Sequence, residues 1–220
     1  MELEQINIFL LIFIGIISAV SIYGFSNPDF VNKYIFNISA IRTTNNWDRL
    51  LTSSFLHADG FHLFFNMYVL YMFAPSIMNS RSFGLFWFFI IYFGAVMGGG
   101  LLSYFMNKNN YSYQALGASG GVTGIVMASA VVNPDMGMGI IFVPVFIPAY
   151  IFGALYLVYS IYAMHNQTDN IGHDAHLGGA IVGIVVPILL YPQILVYHSF
   201  KVGLLILPLI YLAYYIYQRR

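Results

Sequence analysis

Cysteine is absent from the chain. Its absence excludes disulfides, thiolate catalysis and cysteine metal sites, and leaves the redox state of the compartment open. Charge is scarce as well: only 7% of the 220 residues are Asp, Glu, Lys or Arg, against about 25% in soluble domains. The 8 basic and 8 acidic residues cancel, which excludes the basic stripe of a nucleic-acid footprint. No polar stretch is long enough for a separate soluble domain, and no internal repeat or low-complexity linker is visible. A cleaved leader is not expected, because Met1-Glu2-Leu3-Glu4 is acidic where a signal peptide is basic.

Apolar surface dominates instead. The chain is 60% hydrophobic and its mean hydropathy is +0.77. A water-soluble core of this size needs far less, so the sequence predicts an all-α polytopic membrane protein. Apolar runs bounded by polar or Pro/Gly punctuation give seven helices, near 6–25, 61–78, 83–105, 117–132, 139–164, 172–191 and 200–217. A single transmembrane bundle over 1–220 is the simplest arrangement. The longest connection, 26–60, mixes Lys33, Arg42, Asp48 and Arg49 with Phe30, Tyr34, Ile35, Ile38 and Trp47. That interleaving predicts an ordered loop lying partly in the membrane interface.

The fourth run is short. Ala118 to Val132, stopped by Asn133-Pro134, makes a helix of roughly 22 Å at 1.5 Å per residue, against a hydrocarbon core of roughly 30 Å. Non-helical backbone at that depth is tolerated only when buried in protein or facing water. Ser119, in Gly117-Ala118-Ser119-Gly120-Gly121, is therefore expected at the floor of a cavity walled by other helices.

Helices 2, 4 and 6 run the same way, so their N-termini share one face of the membrane. The polar residues of the apolar runs gather there: His62 and Asn66, Ser119, and His173, Asp174 and His176. Ionisable groups inside a membrane are costly and are functional candidates by default. A serine hydroxyl needs an adjacent base, and His176 can be that base. The first N–H groups of helix 4 are suited to a developing oxyanion, and the Asn66 amide adds a donor. Gly120/Gly124 and Gly179/Gly183 form Gly-x-x-x-Gly faces that let helices 4 and 6 approach closely. No third triad member stands out, so a Ser–His dyad is the economical reading.

Each residue alone also has a structural reading. Ser119 among glycines reads as a packing residue, and Asn66 and His176 read as helix–helix hydrogen bonds; their joint placement favours chemistry. His57 is expected to order the loop and helix 2. His173 and His176 have i, i+3 spacing, but His-Glu-x-x-His is absent and no metal site is assigned. No aspartate pair is buried within two helices, as an aspartyl intramembrane protease would need. A small channel or transporter fits the hydropathy only and predicts repeats and broken helices.

These motifs, taken in order, resemble the rhomboid family of intramembrane serine proteases. Trp47, Arg49 and Thr52 are similar to its loop element, and His57-Ala58-Asp59-Gly60-Phe61-His62-Leu63-Phe64-Phe65-Asn66-Met67 to its helix 2 signature. Gly117-Ala118-Ser119-Gly120 resembles its nucleophile motif, and Ala175-His176-Leu177-Gly178-Gly179 with Gly183 its histidine motif. The similarity spans roughly 45–190. It implies a rhomboid-like bundle of six core helices, with 200–217 as a seventh. It implies Ser119 as nucleophile and His176 as base, with the Ser119 N–H, His62 and Asn66 on the oxyanion. The implied substrates are transmembrane segments of other membrane proteins, cut near the membrane boundary, with no cofactor and with lipid as the surrounding partner.

The chain departs from the family pattern at several points. Asp48 separates Trp47 from Arg49, where the family usually has the two adjacent. Thr123 stands where the family often has an aromatic, which predicts less ring packing for His176. A non-catalytic relative that binds transmembrane helices is the alternative this leaves open. The family implies a cytoplasmic N-terminus, which puts Arg81 and Lys201 inside and Lys33, Arg42, Arg49, Lys108, Arg219 and Arg220 outside; the positive-inside rule favours the reverse. A bacterial plasma membrane is the expected home, since no organelle-targeting extension is present.

Overall fold

The computed structural model describes residues 8–139, 146–166 and 171–218. Helix α1 (Ile8–Phe25) is an unbroken apolar run ended by Asn27-Pro28. The connection that follows is not a bare loop. It folds as α2 (Pro28–Tyr34), β1 (Phe36–Asn37), α3 (Ile38–Thr44), α4 (Arg49–Thr52) and a 3-10 turn (Ser53–Phe55). Pro28 opens α2 with its φ already suited to a helix, and Asp29 and Lys33 complement the dipole at the two ends. The Asn37 side chain caps α3 by accepting from the Ala40 N–H at 2.9 Å. Asn45 ends α3 in the left-handed region at φ 56°.

Helix α5 (Gly60–Met78) starts under the Asp59 cap, whose carboxylate accepts from the His62 N–H at 2.7 Å. Helix α6 (Gly84–Asn107) leads through β2 (Gln114–Ala115), which pairs antiparallel with β1, to α7 (Ser119–Val132). The expected helix over 139–164 begins only at Ala149. β3 (Gly137–Gly139) and β4 (Phe146–Pro148) pair antiparallel before α8 (Ala149–Asn166). A short apolar run is helix or strand by periodicity alone, and here glycines and a proline flank it; residues 140–145 lie outside the described residues. Helix α9 (His173–Leu190) is followed by α10 (Gln193–Gln218), which starts seven residues earlier than expected and is kinked at His198.

Among the described residues, α1, α5, α6, α9 and α10 are long and apolar enough to cross a membrane. The protein is a multi-pass helical membrane protein. Helix α7 is shorter, with 14 residues, and sits at the centre: every residue from Gly120 to Val131 is buried. The outer helices carry the lipid-facing apolar surface, such as Ile8, Ile12 and Ile16 on α1 and Leu207 and Ile210 on α10. Phe13 locks α1 onto α6 by edge contacts with Phe88, Phe89, Tyr92 and Phe93.

The tightest contact is that of α9 with its two neighbours. A Cβ on Gly179 would lie 2.1 Å from the Gly120 carbonyl oxygen, and one on Gly183 2.1 Å from that of Gly124. On the adjoining face, a Cβ on Gly178 would lie 2.4 Å from the Gly98 carbonyl oxygen of α6. Only glycine lets these backbones touch, as the two Gly-x-x-x-Gly faces predict.

Candidate active site

The N-terminal ends of α5, α7 and α9 meet at one cavity of about 1030 Å³. His62, Asn66, Ser119 and His176 all border it, as does Asp174. The structure thus brings together all four residues singled out from the sequence. A smaller apolar pocket of about 290 Å³ adjoins it between α5, α7 and α8, and shares Asn66, Ser119 and His176.

Each side chain owes its position to a local cause. Ser119 opens α7 after Gly117, whose φ of +127° is open only to glycine. No side chain caps this helix, so its first-turn N–H groups have no intrahelical partner. A Cβ on Gly117 would lie 2.9 Å from His62 Nε2, with Ser119 Oγ 3.7 Å away. The gap that the missing Cβ leaves is bordered by His62 and Ser119.

His57 turns out to hold the strand of chain that leads into Ser119. Its Nε2 accepts the Ala118 N–H at 3.3 Å, and its Nδ1 lies 2.8 Å from Ser21 Oγ, which donates to the Phe55 carbonyl at 2.8 Å. With Nε2 accepting, Nδ1 carries the proton and donates to Ser21, so every polar atom in the chain of contacts is satisfied. Burial pushes the His57 pKa down to about 3; the neighbouring His62 adds to this and the Asp59 carboxylate opposes it. His57 therefore stays neutral and keeps its acceptor.

His62 packs edge-on to His57 at 4.9 Å. Its Nδ1 faces the Ala58 N–H at 3.5 Å, a long contact that favours the tautomer with Nε2 as donor. Asn66 is buried, and its amide donates to the His62 carbonyl at 3.0 Å. That uses one of two N–H groups and fixes the side chain along the helix face.

His176 sits one turn into α9. Its Nδ1 lies 2.8 Å from the Tyr156 hydroxyl on α8, and the two rings stack at 24° with centroids 6.3 Å apart. Thr123 therefore does not leave His176 without an aromatic neighbour: the ring comes from α8 instead of α7. Tyr156 was not legible as a site residue, being one of 18 tyrosines in a run without a motif. Ser21, one of two serines in an apolar helix, carried a faint signal of its partner.

A second polar group borders the cavity. The buried Asp174 carboxylate accepts from Asn107 and from the Tyr113 hydroxyl at 3.2 Å. Burial first, and the Asp174 charge second, raise the Tyr113 pKa. These bonds tie the segment between α6 and α7 to the start of α9. Arg49 is likewise committed to structure: it is buried and donates to the Asn32 and Ile35 carbonyls at 2.9 and 2.7 Å. Trp47 instead packs on Tyr104 at 4.9 Å.

Residues 44–193 match the rhomboid domain family. The mitochondrial presenilin-associated rhomboid-like protein of Rattus norvegicus is 36% identical over 141 residues, 61% of this chain and 36% of that protein. Rhomboid protease AarA of Providencia stuartii is 30% identical over 192 residues, 79% of this chain and 66% of that protein. The mitochondrial RHOMBOID-like protein 12 of Arabidopsis thaliana is 27% identical over 181 residues, 73% of this chain and 51% of that protein. The chain thus spans about a third of the length of the rat relative.

Proposed function

Because the chain belongs to the rhomboid family, we propose that it is an intramembrane serine endopeptidase that cleaves transmembrane segments of other membrane proteins. Ser119 is the nucleophile and His176 the general base. In the first step His176 Nε2 takes the Ser119 hydroxyl proton as Oγ attacks the scissile carbonyl. The tetrahedral oxyanion accepts hydrogen bonds from the Ser119 N–H, His62 Nε2–H and Asn66 Nδ2–H. His176 then gives its proton to the leaving amine, and water releases the acyl group by the same steps. A substrate helix must first unwind locally, which Gly or Pro near the cut makes easier.

The observation that carries this reading is the glycine contact between α7 and α9. It fixes the helix that begins with Ser119 against the helix that bears His176, at a cavity both border. The test is cleavage of a model transmembrane substrate by purified protein: Ser119→Ala and His176→Ala should each abolish it. Undiminished cleavage by both would overturn the assignment.

The departure at Thr123, where the family often has an aromatic, leaves a second reading, a non-catalytic binder of transmembrane helices, and the Tyr156 ring beside His176 weighs against it. A fluorophosphonate probe separates the two, since labelling that depends on Ser119 requires an activated hydroxyl. For location we propose the bacterial plasma membrane. The Providencia relative supports it, while the relatives named for mitochondria point to an organelle membrane. Fractionation of the native host decides.

A further inference from the structure

The proposed dyad has a base whose ring needs an orienting partner, and the described contacts offer one from an unexpected element. Tyr156 lies on α8 and borders the smaller pocket together with Asn66, Ser119 and His176. Its hydroxyl is 2.8 Å from His176 Nδ1 and 3.4 Å from Thr123 Oγ1. Its ring stacks on Phe152 one turn earlier, at 7° and 6.5 Å. The backbone beneath is held too: a Cβ on Gly153 would lie 2.7 Å from Leu205 of α10 and 3.3 Å from Met127 of α7. Helix α8 is thus wedged between α7 and α10, and the Tyr156 hydroxyl has little freedom to leave the imidazole.

From this geometry we infer that Tyr156 is a positioning residue for His176. Its oxygen accepts the Nδ1 proton and its own proton goes to Thr123 Oγ1. The inference rests on the proposed dyad. The direction of the bonds follows from the chemistry. A tyrosine that donated to Nδ1 would leave the neutral ring protonated at Nε2, unable to take a proton from Ser119. Thr123 gives the hydroxyl proton another acceptor, so Tyr156 can serve as acceptor for the imidazole. The residue at 123 then contributes an oxygen, and α8 contributes the ring. A hydrogen-bonded partner that fixes the tautomer of a working histidine is a recurrent arrangement.

Two measurements test this, and the first needs no turnover. In 15N-histidine-labelled protein in micelles, at a pH where His176 is neutral, its signals should show the Nδ1–H tautomer. They should do so in Ser119→Ala as well. Tyr156→Phe keeps the ring and should give a mixture of tautomers. An Nε2–H ring in the wild type, or an unchanged tautomer in Tyr156→Phe, would overturn the inference. The second is kinetic. Tyr156→Phe should lower kcat on the order of 10–100-fold, by analogy with loss of the partner that orients a metal-bound histidine, with KM changed less than about twofold. Thr123→Val should act in the same direction but less. The double variant should match Tyr156→Phe alone, because the two hydroxyls act in one chain. A loss confined to KM, or fully additive losses, would count against it. Cleavage that survives Ser119→Ala would instead defeat the proposed activity and leave the tautomer result standing.

Discussion

Replacing Gly179 by alanine should damage catalysis far more than it damages the fold. The new Cβ would start 2.1 Å from the Gly120 carbonyl oxygen, 2.8 Å from its carbon and 3.2 Å from its Cα. Ordinary contact begins near 3.4 Å, so the two helices must part by about 1.3 Å, the difference between 3.4 and 2.1 Å. The obstacle is backbone and cannot rotate aside. Overpacking of this size costs about 1–3 kcal/mol, and the better helix propensity of alanine returns about 0.8–1.0 kcal/mol. Net stability should thus fall by no more than about 2 kcal/mol. Gly120 follows Ser119 directly, and Gly179 lies three residues after His176. The displacement therefore falls on the reacting pair itself, where a misplacement of about 1 Å can cost 10²-fold in rate. The assays are unfolding in micelles followed by circular dichroism, and kcat/KM on a model transmembrane substrate. Gly15→Ala is the control: a Cβ there meets nothing within 4 Å, so it should keep full activity and lose no stability. Wild-type kcat/KM in folded Gly179→Ala would refute the idea that this contact sets the site.

Two further outcomes follow from the polar groups around Ser119. His57 is held neutral in the fold, with its pKa lowered from 6.5 to about 3. The stability it contributes is complete above pH 6.5 and is lost progressively as pH falls from 6.5 toward 3. Over that whole window the loss is on the order of 5 kcal/mol. His57→Gln should flatten the acid limb of the unfolding profile, and an unchanged slope would show that His57 is not its source. Asn66→Ala should lower kcat by an amount worth about 2.7–4 kcal/mol if its amide meets the oxyanion. A change in KM alone would assign Asn66 to substrate binding.

Much of the architecture was legible in the residues. Seven apolar runs became helices α1 and α5–α10, because in lipid a backbone must satisfy itself along each run. The shared direction of α5, α7 and α9 already put His62, Asn66, Ser119 and His176 at one end, and the paired glycines announced the α7–α9 contact. Other features were not legible because local pattern does not carry them. The interleaved apolar residues of 26–60 fit interfacial loop and helix alike, and the caps at Asn37 and Asp59 and the β1–β2 pairing resolve which. The run before Ala149 is too short for periodicity to tell strand from helix.

By itself, then, the sequence determined membrane residence, the places of the seven long apolar helices and which polar groups share one end of the bundle. Those depend on hydropathy, length and chain direction, which are one-dimensional properties. Only the tertiary structure decided which groups orient which. Ser21 holds His57, His57 holds the chain before Ser119, and Tyr156 rather than residue 123 meets His176. These hydrogen bonds are made at about 3 Å between groups 20 to 61 residues apart, and no spacing along the chain encodes a contact that side-to-side packing of helices creates.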